Sequence, residues 1–141
     1  MLAWNPDFET GHPDIDREHR EICESLNKIE RALLAGAGRE QIAEMVAVLQ
    51  RYTLIHFRHE ESVMACADCP LHRDNCAAHT VFAARFERWL EVLTIPSMPL
   101  TLLQDVHAES CRWIQQHLTH IDVGLRRSMS PLATAGTGRG A

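Results

Sequence analysis

The sequence predicts an all-α protein, an up-down-up-down antiparallel four-helix bundle with an N-terminal arm. Three observations carry that expectation. Four segments repeat apolar residues at the i, i+3, i+4 spacing of a helix face, and none sustains the alternation of a strand. The joints between them are short and hold Gly or Pro, which makes sequential helices antiparallel neighbours.

The opening MLAWNPDFETGHPD reads as an arm lying on the bundle. Helix one is expected from near Asp14, with Ile15, His19, Ile22, Leu26, Ile29 and Leu33 on its inner face, and stops at Gly36 and Gly38. Helix two opens around Glu40 and carries Ile42, Met45, Val46, Leu49, Tyr52, His56, Glu60 and Val63 inward, ending near the CADCP turn at 66–70. Helix three runs from about His72 to Leu93, aligning Asn75, His79, Phe82, Phe86, Trp89 and Leu93, and breaks at TIPSMP, where two prolines fall three residues apart. For helix four, from about Leu100 to Leu125, the stripe is Leu103, Val106, Ser110, Trp113 and His117, with Ile121 and Asp122 just beyond. The small, Gly-rich segment after Arg127 reads as a disordered tail, so the expected division is a bundle domain over 1–127 and a tail over 128–141.

At 141 residues the chain fits one domain and can bury a core without disulfide help. Fourteen Lys and Arg stand against 19 acids, a net charge of −5 with no basic stretch beyond Arg126-Arg127, which argues against nucleic acid as a partner. No run approaches the roughly 18 apolar residues of a membrane span, and the N-terminus is interrupted by acids, so a cytosolic protein is expected. The five cysteines are an odd number in a mid-sized chain and are expected to be mainly reduced.

Chemistry concentrates in HFRHEE at 56–61 and HLTHID at 117–122. His56 and Glu60 stand four residues apart, so on a helix an imidazole and a carboxylate leave the same face. In the bundle topology His19, His56, Glu60, His79, His117 and Asp122 fall at the same end and point to one interior volume. A lone buried histidine is usually a hydrogen-bonded core residue, but six ligand-type side chains together point to a metal. His12, His59, His72, His107 and His120 read as solvated or packing residues, Glu61 as an exposed acid or a support to the ligands, and Trp89, Trp113, Phe82 and Phe86 as core.

These elements resemble the bacterial hemerythrins over roughly residues 4–125. The family's N-terminal Trp and Gly before Ile-Asp-x-x-His correspond to Trp4, Gly11 and IDREH at 15–19. Its His-Phe-x-x-Glu-Glu with a Met three residues on, its Pro, its His followed by Phe, and its His-x-x-x-x-Asp correspond to HFRHEE, Met64, Pro70, His79 with Phe82, and His117 with Asp122. The resemblance implies two non-haem iron ions, with Glu60 and Asp122 as bridging carboxylates, His19 and His56 on one iron, and His79 and His117 on the other. It implies dioxygen or a similar diatomic as ligand, bound reversibly for storage, delivery or sensing. Imidazoles with carboxylates suit first-row divalent ions better than magnesium or calcium.

One position departs from the family. Five residues past Pro70, where the first His of His-x-x-x-His stands in the family, this chain has Asn75. His72 lies three residues too early to replace it without a local rearrangement. The amide could donate its oxygen, hold a water or leave a position vacant. Beside it, Cys66, Cys69, His72 and Cys76 form C-x-x-C-x-x-H-x-x-x-C, a candidate zinc site or a thiol switch, with free thiols as the plain reading. Two alternatives to oxygen binding therefore stay open: a redox or oxygen sensor with a cysteine switch, and an enzyme of peroxide or nitric oxide chemistry using an open iron position.

Overall fold

The computed structural model describes residues 1–129, without the side chains of Asp122, Val123 and Met129. A short 3₁₀ turn at Pro6–Phe8 is followed by α1 (Pro13–Leu34), α2 (Arg39–Cys66), α3 (His72–Thr94) and α4 (Leu100–Met129). At 1.5 Å per residue the helices are about 33 to 45 Å long. Each packs mainly on its two sequence neighbours around the bundle, with α4 closing back on α1. The final helix runs two residues past the expected domain boundary at 127, and the rest of the expected tail, 130–141, lies outside the described residues.

Local chemistry sets the helix ends. His12 accepts the Ile15 amide at 3.5 Å and Pro13 opens α1, where its missing N–H costs nothing. The ends of α1 and α2 share one device, a residue in left-handed backbone whose own amide and the next one reach back to the last turn. In α1 that residue is Gly36, at φ +77°, and Ala37 N–H meets Ala32 O at 2.9 Å. In α2 it is Asp68, at φ +49°, and Cys69 N–H meets Met64 O at 2.9 Å. The α2–α3 turn is thereby fixed, and its Leu71 side chain lies in the notch left by Gly124 of α4, where a Cβ would stand 2.3 Å from Leu71 Cδ1.

The arm is tied down at several points. Leu2 and Phe8 are buried, Asn27 pairs with the Leu2 backbone through both ends of its amide (2.6 and 2.9 Å), and Arg126 Nε donates to Glu9 O at 2.9 Å. Asp16 accepts from the amide and hydroxyl of Thr10 at 2.6 and 2.8 Å, which turns the chain into α1.

Apolar burial divides into two clusters. The larger runs from Ile22, Phe57, Phe82, Ile114 and Leu118 to the far end of the bundle at Leu33, Ile42, Trp89, Leu93 and Leu103. A smaller plug of Ile15, Met64, Cys69, Ile121 and Leu125 closes the near end. His19 falls in sequence between Ile15 and Ile22 and Glu60 between Phe57 and Met64, with His56 and His117 adjoining Phe57 and Leu118, so the polar volume lies at the junction of the two clusters. The inner faces differ from expectation in detail. Thr53, Phe57 and Met64 are buried on α2, whereas Met45, Tyr52 and Val63 sit at its flank; on α4, His107, Ile114 and Leu118 are buried, with Val106 and Trp113 half-buried. A stripe advancing by alternating steps of three and four residues from Leu49 reaches Thr53, His56 and Glu60, which leaves Tyr52 to one side.

Candidate metal centre

Glu60 of α2 lies at the middle of the polar volume and is 0 % exposed. A fully buried carboxylate is costly unless cations or hydrogen bonds compensate it, and here four imidazoles surround it. Its two oxygens face different pairs. Oε1 is 2.9 Å from His19 Nε2 and 3.9 Å from His56 Nε2. Oε2 is 3.0 Å from His79 Nε2 and 3.9 Å from His117 Nε2. Among the described residues, three or more donors converge in two groups, His19–His56–Glu60 and Glu60–His79–His117, each with ligand atoms within 4.8 Å of one another and all buried. Bonds of about 2.0 to 2.2 Å to a first-row cation require donors about 3 Å apart or slightly more, so both groups fit one ion each with little movement.

The outer nitrogens explain why Nε2 faces inward. Glu18 of α1 accepts from His56 Nδ1 at 2.7 Å with one oxygen and from His59 Nδ1 at 2.8 Å with the other. Glu61 takes His79 Nδ1 at 2.8 Å. A carboxylate on the outer ring nitrogen fixes the tautomer and makes the inner nitrogen a better metal donor. Rings are also held by packing: Phe57 stacks on His79 at 3.7 Å and Trp113 on His117 at 4.4 Å between centroids.

Protonation follows from burial and these partners. Burial pushes the Glu60 carboxyl up, but hydrogen bonds from His117, His19 and His79 outweigh it and hold it well below the ordinary carboxylate range, so it stays anionic. Burial lowers His56 and His117 against the opposing pull of Glu18 and Glu60, so their imidazoles are neutral near pH 7 and offer lone pairs. Glu18 is lowered overall because its bonds from His56 and His59 outweigh its own burial.

Five of the six expected ligands are thus brought together. Asp122 lies on α4, five residues past His117, with its side chain outside the described residues. Asn75, at the family's histidine position, is 1 % exposed and points its Nδ2 at Glu60 Oε2, 2.9 Å away. Sequence reasoning missed Glu18, whose one signal was its place beside His19 in IDREH, and read His59 as solvated or packing when it is half-buried against Glu18. Glu61 has the supporting place that was one of its two expected readings.

The zinc alternative at Cys66, Cys69, His72 and Cys76 is not supported. Cys66 is exposed while Cys69 is buried in the apolar plug, and helix geometry leaves only His72 and Cys76 together, at 3.5 Å. These residues are in neither converging donor group.

A bundle whose buried end gathers two imidazole pairs around one shared carboxylate is a metal-binding four-helix bundle. The model of the hemerythrin HHE cation binding domain matches residues 10–125. This chain belongs to the hemerythrin family. It is 31% identical over 139 aligned positions to a bacteriohemerythrin of Pseudomonas aeruginosa strain LESB58, covering 93% of this chain and 86% of that protein. A bacteriohemerythrin of Clostridium acetobutylicum is 25% identical (86% and 96% covered), and a hemerythrin of Sipunculus nudus 23% identical (86% and 87% covered). No solved structure matches the chain significantly. Membership implies a non-haem iron centre, and the two donor groups can hold metal. Among the described residues no helix is long and apolar enough to cross a membrane.

Proposed function

We propose that the chain is a di-iron protein that binds dioxygen, or a comparable diatomic, reversibly. The observation that carries this is the splitting of Glu60 between two histidine pairs, which suits a carboxylate shared by two ions. His19 and His56 would hold one iron, His79 and His117 the other, and Glu60 and Asp122 would bridge them. Two ferrous ions held there would supply the two electrons that dioxygen needs to bind reversibly.

The surrounding residues fit that role. Ile22, Phe57, Ile114 and Leu118 line a small cavity beside His19, His56 and His117, about 10 Å³ for the centre of a water-sized sphere. That is room for about one small molecule. Apolar walls offer no hydrogen bonds to water and exclude a proton supply from bulk solvent, which favours release of the ligand unchanged. With few anions around it, the centre stabilises oxidised iron less than carboxylate-rich bundles do, and that favours binding over oxygen activation.

Protein reconstituted with ferrous iron under argon is expected to hold about two irons per chain, and to gain in air a visible absorption band that disappears on returning to argon. One iron per chain, or a band that bleaches irreversibly, would reject the carrier reading.

A redox-sensing role has one observation in its favour. Burial and the charge of Glu61 raise the Cys76 thiol, and Glu61 in turn holds His79 Nδ1. Alkylating Cys76 should then move the absorption band of the oxygenated protein; an unchanged spectrum removes this reading.

A further inference from the structure

We propose that Asn75 becomes a metal ligand through its carbonyl oxygen, so that the two halves of the centre differ in donor chemistry. The inference rests on the di-iron reading and concerns this chain's departure from the family's histidine.

Asn75 sits in the first turn of α3, four residues before His79 and on the same face. Its Nδ2 donates to Glu60 Oε2 at 2.9 Å and to Met64 Sδ at 3.0 Å. Its Oδ1 is buried with no hydrogen-bond partner. An unsatisfied buried carbonyl of this kind costs about 1 to 3 kcal/mol, and a thioether is a weak acceptor that returns little for the amide hydrogen it takes.

Half a turn of the amide exchanges two ends of nearly equal size. The carbonyl oxygen would then stand 2.9 Å from Glu60 Oε2, the spacing of two oxygens that share one cation at about 2.1 Å. Without a cation two oxygens so placed repel, which is why the amide N–H faces the carboxylate here. A cation in the Glu60–His79–His117 group reverses that preference. It attracts the oxygen, and the only bonds given up are those to Glu60 and to a weak sulfur acceptor. His72 does not compete for the position, because its Nε2 is turned to Cys76 Sγ at 3.5 Å.

The consequence is an inequivalent pair of half-sites. A neutral amide oxygen is a harder and weaker donor than an imidazole, so the second half takes a divalent ion less tightly than a histidine at 75 would allow, and tolerates manganese better. Loading is stepwise.

The test titrates metal-free protein with Co²⁺, reading bound metal and the visible cobalt spectrum. Wild type is expected to bind in two resolved steps. Asn75→Leu should weaken the second step by about tenfold or more and leave the first unchanged, and Asn75→His should tighten the second by about tenfold. Asn75→Asp keeps an oxygen donor and should keep the second step, which preserves the comparison if the leucine variant fails to fold. Equal second-step affinities across the folded variants would overturn the proposal while leaving two metals per chain intact. Uptake of a single cobalt by wild type and by Asn75→His alike would instead sink the di-iron reading, and this inference with it.

Discussion

The two halves of the centre share one carboxylate and one plan of two imidazoles, and differ in what packs on those rings. In each half one histidine has a carboxylate on its outer nitrogen, but on the His19–His56 side Ile22 and Ile114 wall a small cavity and His19 Nδ1 is buried without a partner. The His79–His117 side is covered more closely, although the cavity also touches His117. Phe57 and Trp113 cover the two rings, Phe82 stacks on Trp113 at 3.9 Å, Glu61 clamps His79, and Asn75 donates to Glu60 Oε2. The same four-imidazole plan therefore yields one half bordered mainly by apolar space and one half packed by aromatic rings and an amide.

The largest expected effect removes what the halves share. Glu60→Ala should abolish binding at both, with iron analysis reading well below one ion per chain, because on the proposed reading Glu60 would serve two metals while each histidine would serve one. Loss of only a single iron would show that the halves do not depend on a common carboxylate.

Removing the outer carboxylates should separate the halves. Glu18→Ala strips the partner from His56 and Glu61→Ala from His79, and each should cost its own half about 10- to 100-fold in metal affinity. Stepwise titration checks this, and an equal loss at both steps from either variant would erase the distinction.

A smaller effect concerns ligand access alone. Ile114→Phe fills the cavity beside the first half at a folding cost of about 1 to 3 kcal/mol. Iron content should stay near wild type while azide and dioxygen binding weaken severalfold; unchanged ligand affinity would mean that small ligands reach the metals by another route.

The mildest expectation is the acid response of the metal-free protein. Burial holds His56 and His117 below their ordinary 6.5, and Glu60 and Glu18 are held below 4.5 despite burial by their histidine bonds. For all four the unfolded chain binds protons more readily than the folded one. Stability is therefore fully present above about pH 6.5, declines as the unfolded histidines take up protons, and declines further below 4.5. Denaturant melts between pH 8 and 4 check the order. A midpoint that does not move above pH 5 would show that the histidines contribute nothing to it.

Much of this was legible before any coordinate. Ile15, Ile22, Leu26, Ile29 and Leu33 defined the inner face of α1, and the α3 stripe from Asn75 to Leu93 is buried throughout, because a 3.6-residue period needs only the chain itself to be read. The inner face of α4 was read less well. Trp113 looked central and is half-buried, while Ile114 and His107 are inside, since a stripe with apolar residues at adjacent positions can rotate by one residue until a neighbouring helix selects the face. His107 was settled by a single long-range bond, Nε2 to Leu26 O at 2.8 Å.

Sequence alone determined the class, the four helices and which candidate donors share a helix face, for these depend on local periodicity and on spacing within single helices. His56 and Glu60 share a face by helix geometry, as Asn75 and His79 do. Only the tertiary structure decided which oxygen of Glu60 meets which histidine pair, that Glu18 grips both His56 and His59, and that the amide of Asn75 is left with a buried, unsatisfied oxygen. Apart from His56 to Glu60 within α2, these are contacts between side chains 15 to 57 residues apart, such as Asn75 to Glu60, His19 to Glu60 and His117 to Glu60. Their distances depend on how helices cross and slide, and that is set by the packing of the whole core rather than by any residue's neighbours in the chain.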